Sequence, residues 1–559
     1  MSSCTIYNPV KDYTIPNTDL LSLVFDHPDV LAKDDTILHV EGADSSNSIT
    51  KSQCREYTMR IAHILREKFA IGAQGPGIDT VCCISTGQVL LPSLFYGVIA
   101  AGGVYSAASS SFTAGELARQ VKHGESRLIV TSKDCIKVSF KAAAECGIPL
   151  DRVLVLDSSR GQRSLRDGHG KELLHESTGQ LAWEVISDQQ ILHDRAACLI
   201  YSSGTTGEPK GVEITHENLV SAAVVNLYAY RDYISRQKAQ TPDFTPEYRT
   251  VAHLPAAHIA GCQGYFLQPV LCGGTVYWMS KFEPKSFLWN CATYRPTFLF
   301  TVPPIYQLLV QSPLVNDQFK HMIHAVSGAA PMGPDLVVRA TKTLGCPVSQ
   351  TWGLSETTGS VTISPWDEFE SDGSLSPLLP NIRLRIVDEA ENDVEDGQEG
   401  EFIVQGPMVT KGYWKNEEAT RASFTADGAW FKTGDLGLRR NGRIFIIDRK
   451  KEMIKYKGLQ VAPAELEGLL LSHSLIQDVA VIGVPDVNMA GNELPRAYVV
   501  ANQSKITEDA IKSFIKDNLA SHKQLRGGVI FVPEIPKSPT GKILRKELRA
   551  AAMGAKAKL

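Results

Sequence analysis

The chain has few of the features that mark metal, membrane or nucleic-acid proteins. Its eleven cysteines are scattered as singles and one adjacent pair, Cys82 and Cys83. There is no C-x-x-C pair and no Cys/His cluster at zinc-like spacing, so the pattern reads as reduced, buried thiols in an intracellular compartment. No apolar run approaches the ~18 residues of a membrane helix. The opening MSSCTIYNPVKDYT lacks the charged-then-apolar order of a signal peptide, so neither a span nor secretion is expected. Charge is nearly balanced at −4, with 21% charged and 43% hydrophobic residues, which gives no electrostatic reason to expect a nucleic-acid partner. No internal repeat is present, and no Walker A loop.

What is present is enough chain for two or more domains, since 559 residues exceed one core. From Asp79 onward, apolar runs such as TVCCIS, RLIVT and RVLVLD alternate with helical patterns such as GELARQVKHG and KVSFKAAAECG. That alternation predicts an α/β fold with a parallel sheet, whose ligands sit beyond the carboxyl ends of the strands. The loop YSSGTTGEPKG, Tyr201 to Gly211, falls in such a place, directly after the apolar Ala197 to Ile200. Gly204 and Gly207 allow close backbone approach to an anion. Ser202, Ser203, Thr205 and Thr206 supply hydroxyls, and Lys210 supplies a mobile cation. Glu208 and Pro209 separate Gly207 from Lys210, which excludes the P-loop spacing. Polyphosphate binding of another kind is the expectation.

Two polar stretches, Ser158 to Gln180 and Tyr230 to Arg249, read as surface excursions. Near Gly434 the pattern turns β-rich. Helical segments follow, with Leu466, Leu469 and Leu470 on one face and then Ile511, Phe514, Ile515 and Leu519, the second helix capped by Thr507. The charged run Asp448 to Glu452 lies between apolar β segments and predicts a solvated hinge.

Beyond the phosphate loop the chain carries HLPAAHIAG from His253, SGAAP from Ser327, QTWGLSETTG from Gln350, KTGDLG from Lys432, IIDRKKEMIKYKGLQVAPAELE from Ile446 and PKSPTGKILRKEL from Pro536. In this order they resemble the adenylate-forming superfamily of acyl-CoA synthetases and firefly luciferase, and within it the 4-coumarate-CoA ligase-like acyl-CoA ligases, from about Pro16 to Leu548. The resemblance implies a large N-terminal domain over 1–447, of layered α/β sheets with a β-barrel-like part. A hinge at 448–451 and a small mobile α+β domain over 452–559 would follow. It implies ATP, Mg2+ and coenzyme A as participants and a small carboxylic acid as substrate, activated as an acyl-adenylate and then transferred to the thiol. A luciferase-like oxygenase, or an adenylation module loading another acceptor, is the alternative; no carrier domain follows Leu548.

The same resemblance assigns roles. Thr205 with its loop neighbours and Ser355 would donate to phosphate, and Thr205 and Glu356 would hold magnesium. Trp352, where the family usually has tyrosine, would stack on adenine, within a nucleotide site that includes Ala329, Gln350, Thr351 and Gly353. Asp435 and Arg449 would bind ribose. Lys542 would reach the α-phosphate during adenylation. Lys451 would act as pivot, and the hairpin carrying Lys455, Lys457 and Gly458 would serve the thioester step, although for Lys457 and Lys546 a solvated basic face is the preferred reading. His258 would stand at the entrance of an acyl pocket lined by Ala260, Gly264, Val326, Ala329, Thr351 and Gly353. These are small or apolar, which suits a hydrophobic aryl or aliphatic acid, and Thr351 would shorten the pocket or bond a substrate oxygen. The closing Ala557, Lys558 and Leu559 resemble a peroxisomal tripeptide and predict an import receptor as partner, with the cytoplasm as the other location.

Overall fold

The computed structural model describes residues 5–202, 209–368, 370–457, 459–489, 491–538 and 541–556. The expectations on Ser203, Gly204, Thr205, Thr206, Gly207, Gly458 and Ala557 to Leu559 therefore lie outside the described residues. Among those described, the largest sheet has seven strands, in the order Ser164–Arg166, Val153–Asp157, Leu128–Ser132, Thr80–Ile84, Val104–Ala108, Ala196–Ser202 and Lys210–Thr215. Its centre is parallel, and its two edge pairs are antiparallel. The central strand TVCCI is buried at every position, as expected where helices cover both faces. One of those helices, Leu91–Ala100, is buried all round and packs on Lys51–Phe69.

A second layer holds the parallel strands Phe298–Thr301, His324–Ser327 and Val348–Gln350. The β-rich part is an antiparallel meander of Arg383–Val387, Gly400–Gln405, Phe431–Arg440 and Arg443–Arg449. Beyond it the chain builds a separate core from Ile454, Leu466, Leu470, Val481, Val499, Ile511 and Ile515, around the strands Ile476–Pro485, Glu493–Ala501 and Val529–Phe531. Thr507 caps the helix Glu508–Asn518, accepting from Ala510 N. No helix among the described residues is long and apolar enough to cross a membrane. All ten described cysteines are unpaired, and all but Cys146 are buried.

Three expectations need correction. Tyr230 to Gln240 is the last part of the helix His216–Gln240, with Tyr230 and Tyr233 buried in an aromatic cluster around Trp366; polar residues on its outer face had hidden the period. The stretch from Ser158 includes the edge strand Ser164–Arg166 and buries Leu165, Leu173 and Leu174. Asp448 is buried at 8% exposure rather than solvated, because its carboxylate accepts from the N–H groups of Ala464 and Arg449 at 2.9 and 2.7 Å. Burial raises its pKa above the ordinary carboxylate range.

Candidate active site

Strand ends of both sheets open on one cavity of about 1120 Å³, lined by residues from every layer and from the C-terminal unit. Ser202 and Lys210 line it together as cross-strand partners closing the hairpin edge. Lys210 thus belongs to a strand rather than to a loop, and its Nζ lies 4.9 Å from the centre of the Tyr413 ring. Tyr413 in turn donates its hydroxyl to Glu356 Oε1 at 2.9 Å. Burial, with the Glu356 charge beside it, raises the Tyr413 phenol, so it stays a proton donor to that carboxylate. Tyr413 was missed in the sequence, where KGYW offered an aromatic between charged residues but no motif.

Glu356 is 7% exposed and follows Ser355, which also lines the cavity. The turn before them is made close by Gly353, where an added Cβ would sit 1.9 Å from the carbonyl oxygen of Gly359. Ala329 lines the cavity in a left-handed conformation, φ 70°, an uncommon state for a residue with a Cβ.

All seven residues expected in the acyl pocket line this cavity: His258, Ala260, Gly264, Val326, Ala329, Thr351 and Gly353. His258 begins a short helix that passes into a π-helical turn, Cys262–Leu267, and Gly264 within that turn has no atom within 4 Å of an added Cβ. His258 Nδ1 accepts from Ala260 N at 3.2 Å, which places the ring proton of the neutral form on Nε2. Enclosure in the cavity and the nearby Lys542 charge push its pKa down to about 4. Thr351 donates its hydroxyl to the carbonyl of Thr362 at 2.5 Å, so its proton is engaged by the backbone. The floor went unforeseen. Phe298 stacks on Trp366 at 5.1 Å and 23°, with Tyr233 on Trp366 at 5.7 Å, and Phe298, Phe300 and Trp366 all line the cavity.

Lys542 enters from the C-terminal unit and lines the same cavity. Burial, then the neighbouring Arg449 charge, lowers its pKa to about 8. Lys451 is lowered to about 8 by the same causes. Its segment is held by Arg545, whose Nη2 bonds both oxygens of Glu467 at 2.7 and 2.6 Å. Neighbouring residues are tied in opposite directions. Arg449 pairs with Asp435 at 2.8 Å and Lys450 with Glu401 at 2.9 Å, whereas Asp448 bonds Ala464 N and Glu452 pairs with Arg549 at 2.7 Å.

Several expected site residues stand off the cavity. Trp352 is 6% exposed, packs edge-on against Phe402 and donates Nε1–H to Asp435 at 2.7 Å. Asp435 is 4% exposed, between lining neighbours Gly434 and Arg449. Gln350 is a structural contact: its Oε1 accepts from Met332 N at 2.8 Å. Lys455 and Lys457 are exposed on the hairpin Ile454–Tyr456 and Leu459–Val461, away from the cavity.

The chain matches the family model described as AMP-binding enzyme over residues 27–414, and the AMP-binding enzyme C-terminal domain over 465–542. It is 52% identical over 547 residues to a protein of Emericella nidulans, by name an acyl-coenzyme A synthetase, covering 98% of both chains. It is 31% identical to a phenylacetyl-CoA ligase of Aspergillus niger, covering 96% of this chain and 97% of the other. Among solved structures, ATP-bound MatB of Rhodopseudomonas palustris aligns at 27% identity with a TM-score of 0.80, covering 95% of this chain and 98% of that one; apo MatB gives 0.70. With one family model spanning most of its length and a second covering the unit that delivers Lys542, the chain belongs to the AMP-binding enzymes.

Proposed function

We propose that the protein is an ATP-dependent carboxylic acid:CoA ligase, forming an acyl-adenylate and then an acyl-CoA thioester from a hydrophobic aryl or aliphatic acid. One observation carries this: Lys542, His258, Lys210 and the buried Glu356 share a single cavity with the aromatic side chains of Phe298, Phe300 and Trp366. Cations and aromatic rings lining one cavity suit a triphosphate meeting the carboxylate of an apolar acid. Relatives with acyl-CoA synthetase and CoA ligase names favour coenzyme A as the acceptor over the oxygenase and carrier-loading alternatives.

In this reading Lys210 and Ser202 approach the phosphates, while Lys542 neutralises charge that gathers on the α-phosphate as the acid oxygen attacks. His258 stays neutral, so its Nε2–H can donate to the carboxylate without adding charge. No group of three metal-ligating side chains exists among the described residues. Glu356 nevertheless fits magnesium, because this ion binds through one or two carboxylates plus substrate phosphates, and among the described residues only one oxygen of Glu356 has a protein donor. Glu356, with Thr205, would hold Mg2+. When bound, it would neutralise phosphate charge.

Residues 448–451 would be the hinge between units 1–447 and 452–559, with Lys451 as pivot. Swinging about it would withdraw Lys542 and bring Lys455 to the site for thioester formation. Two observations support this: the exposed position of the Lys455 hairpin in the present arrangement, and the closer fit to ATP-bound than to apo MatB.

The chamber gives a size test. Gly264→Leu has room at its Cβ and fills the pocket, so kcat/KM for the bulkiest accepted acid should fall roughly 10–100-fold while KM for ATP stays put. A pyrophosphate-release screen over aryl, fatty and branched acids would measure this, and equal losses for small and large acids would argue against the chamber. Import into peroxisomes through Ala557, Lys558 and Leu559 is a further proposal. A fluorescent fusion ending at Leu559 should be punctate, and one lacking the tripeptide diffuse.

A further inference from the structure

Asp435 is held more completely than a carboxylate at a cavity margin needs to be. Its side chain is 6% exposed, Oδ1 accepts from Arg449 Nε at 2.8 Å, and Oδ2 accepts from Trp352 Nε1 at 2.7 Å. Its backbone N–H donates to Thr433 Oγ1 at 3.1 Å. An ionised carboxylate has about four lone-pair sites, so two remain after the donors found among the described residues, in a plane that those two donors define.

Those donors differ in where they are anchored. Trp352 is fixed within the N-terminal body: its N–H donates to Thr362 Oγ1 at 2.9 Å, its carbonyl accepts from Val361 N at 2.7 Å, and its ring meets Phe402 edge-on at 5.2 Å. The indole N–H can only donate, and burying it without an acceptor would be costly, so the bond to Asp435 persists without nucleotide. Arg449 lies where the chain passes into the C-terminal unit, beside Asp448, which is bonded to that unit.

We propose that Trp352 is a positioning residue: by donating to Asp435 Oδ2 it fixes the carboxylate plane, so that the remaining lone pairs meet the ribose hydroxyls of ATP whichever way Arg449 turns. This rests on the reading of Asp435 as the ribose ligand. It makes Trp352 a determinant of sugar recognition with no contact to the sugar.

The test compares ATP, 2′-deoxy-ATP and 3′-deoxy-ATP on the wild type, Trp352→Phe and Trp352→Leu, neither variant carrying a side-chain donor. The wild type should prefer ATP over each deoxy analogue by about 10–100-fold in kcat/KM. Each variant should raise KM for ATP about tenfold and shrink that preference below about threefold, with the loss falling on KM rather than kcat. A structural role alone would lower all three nucleotides by one factor, and a full wild-type preference in either folded variant overturns the proposal. A wild type indifferent to the deoxy analogues would overturn the Asp435 reading itself and this inference with it. Should neither variant fold, the indole 15N–1H resonance of Trp352, assigned through Asp435→Ala, decides. Slow exchange in the nucleotide-free protein supports the bond, and exchange within seconds overturns it.

Discussion

Lys542→Ala is expected to slow acyl-adenylate formation roughly 10²–10³-fold, the effect of removing about 3 kcal/mol of charge stabilisation from the transition state. Thioester formation from supplied acyl-adenylate should remain within about threefold of the wild type, because the proposed swing withdraws Lys542 from the site for that step. Lys455→Ala should show the reverse pattern. Pyrophosphate release from ATP and acid reads the first half-reaction, and acyl-CoA formed from synthetic adenylate reads the second. Equal damage to both halves by each variant would refute the exchange of lysines.

The same lysine sets a pH dependence. Its pKa lies at about 8, below the ordinary lysine value, and its catalytic form is the cation. kcat/KM for adenylation should therefore fall as pH rises through about 8, the limb belonging to the free enzyme. Lys451 is lowered to the same range, so Lys542→Arg separates the two. A permanently charged guanidinium should push the limb upward if Lys542 owns it and leave it in place if Lys451 does.

The second large effect is on stability. Arg545→Met should destabilise the C-terminal unit by about 3–5 kcal/mol, because it leaves the buried Glu467 carboxylate without its partner. Glu467 keeps the N–H of Val481 at 2.7 Å, which does not balance a charge. Burial already raises the pKa of Glu467, and losing Arg545 raises it further. A carboxyl whose folded pKa exceeds its unfolded value is stable below the unfolded pKa and loses that stability as pH rises through the folded one. The deficit should thus be smallest in acid and grow toward neutrality. Removing both charges with Arg545→Met and Glu467→Met should recover most of the loss. Hydrogen exchange of Pro463–Ser472 and Ile476–Pro485 reports the change, whereas unaltered protection would contradict it. Adenylation should weaken in parallel, since the pair anchors the segment that carries Lys542.

The parts of this molecule legible in the sequence were those set by local pattern. TVCCI, RLIVT and VLVLD are strands because each is short, apolar and bounded by turns, and Thr507 caps its helix because its hydroxyl reaches Ala510 N. Motif order gathered His258, Glu356, Lys210 and Lys542 correctly around one cavity. What failed depended on distant neighbours. The partner of the Trp352 indole N–H was not foreseen, because it is a buried carboxylate 83 residues away. Asp448 looked solvated because charged runs usually are, whereas two backbone donors draw it inward. Trp366 and Phe298 meet only when a loop after one parallel sheet folds over another strand, and no periodicity encodes that meeting.

The buried cysteines have a practical consequence. Desolvation holds Cys54, Cys82, Cys198 and Cys262 well above the usual thiol range, so at neutral pH these sulfurs are neither ionised nor reachable. A chromogenic disulfide added to samples withdrawn from a reaction will consequently titrate the remaining coenzyme A and leave these side chains untouched. Consumption of the cosubstrate can then be followed sample by sample, with the half-buried Cys146 as the one described thiol to subtract and without mixed disulfides forming in the core.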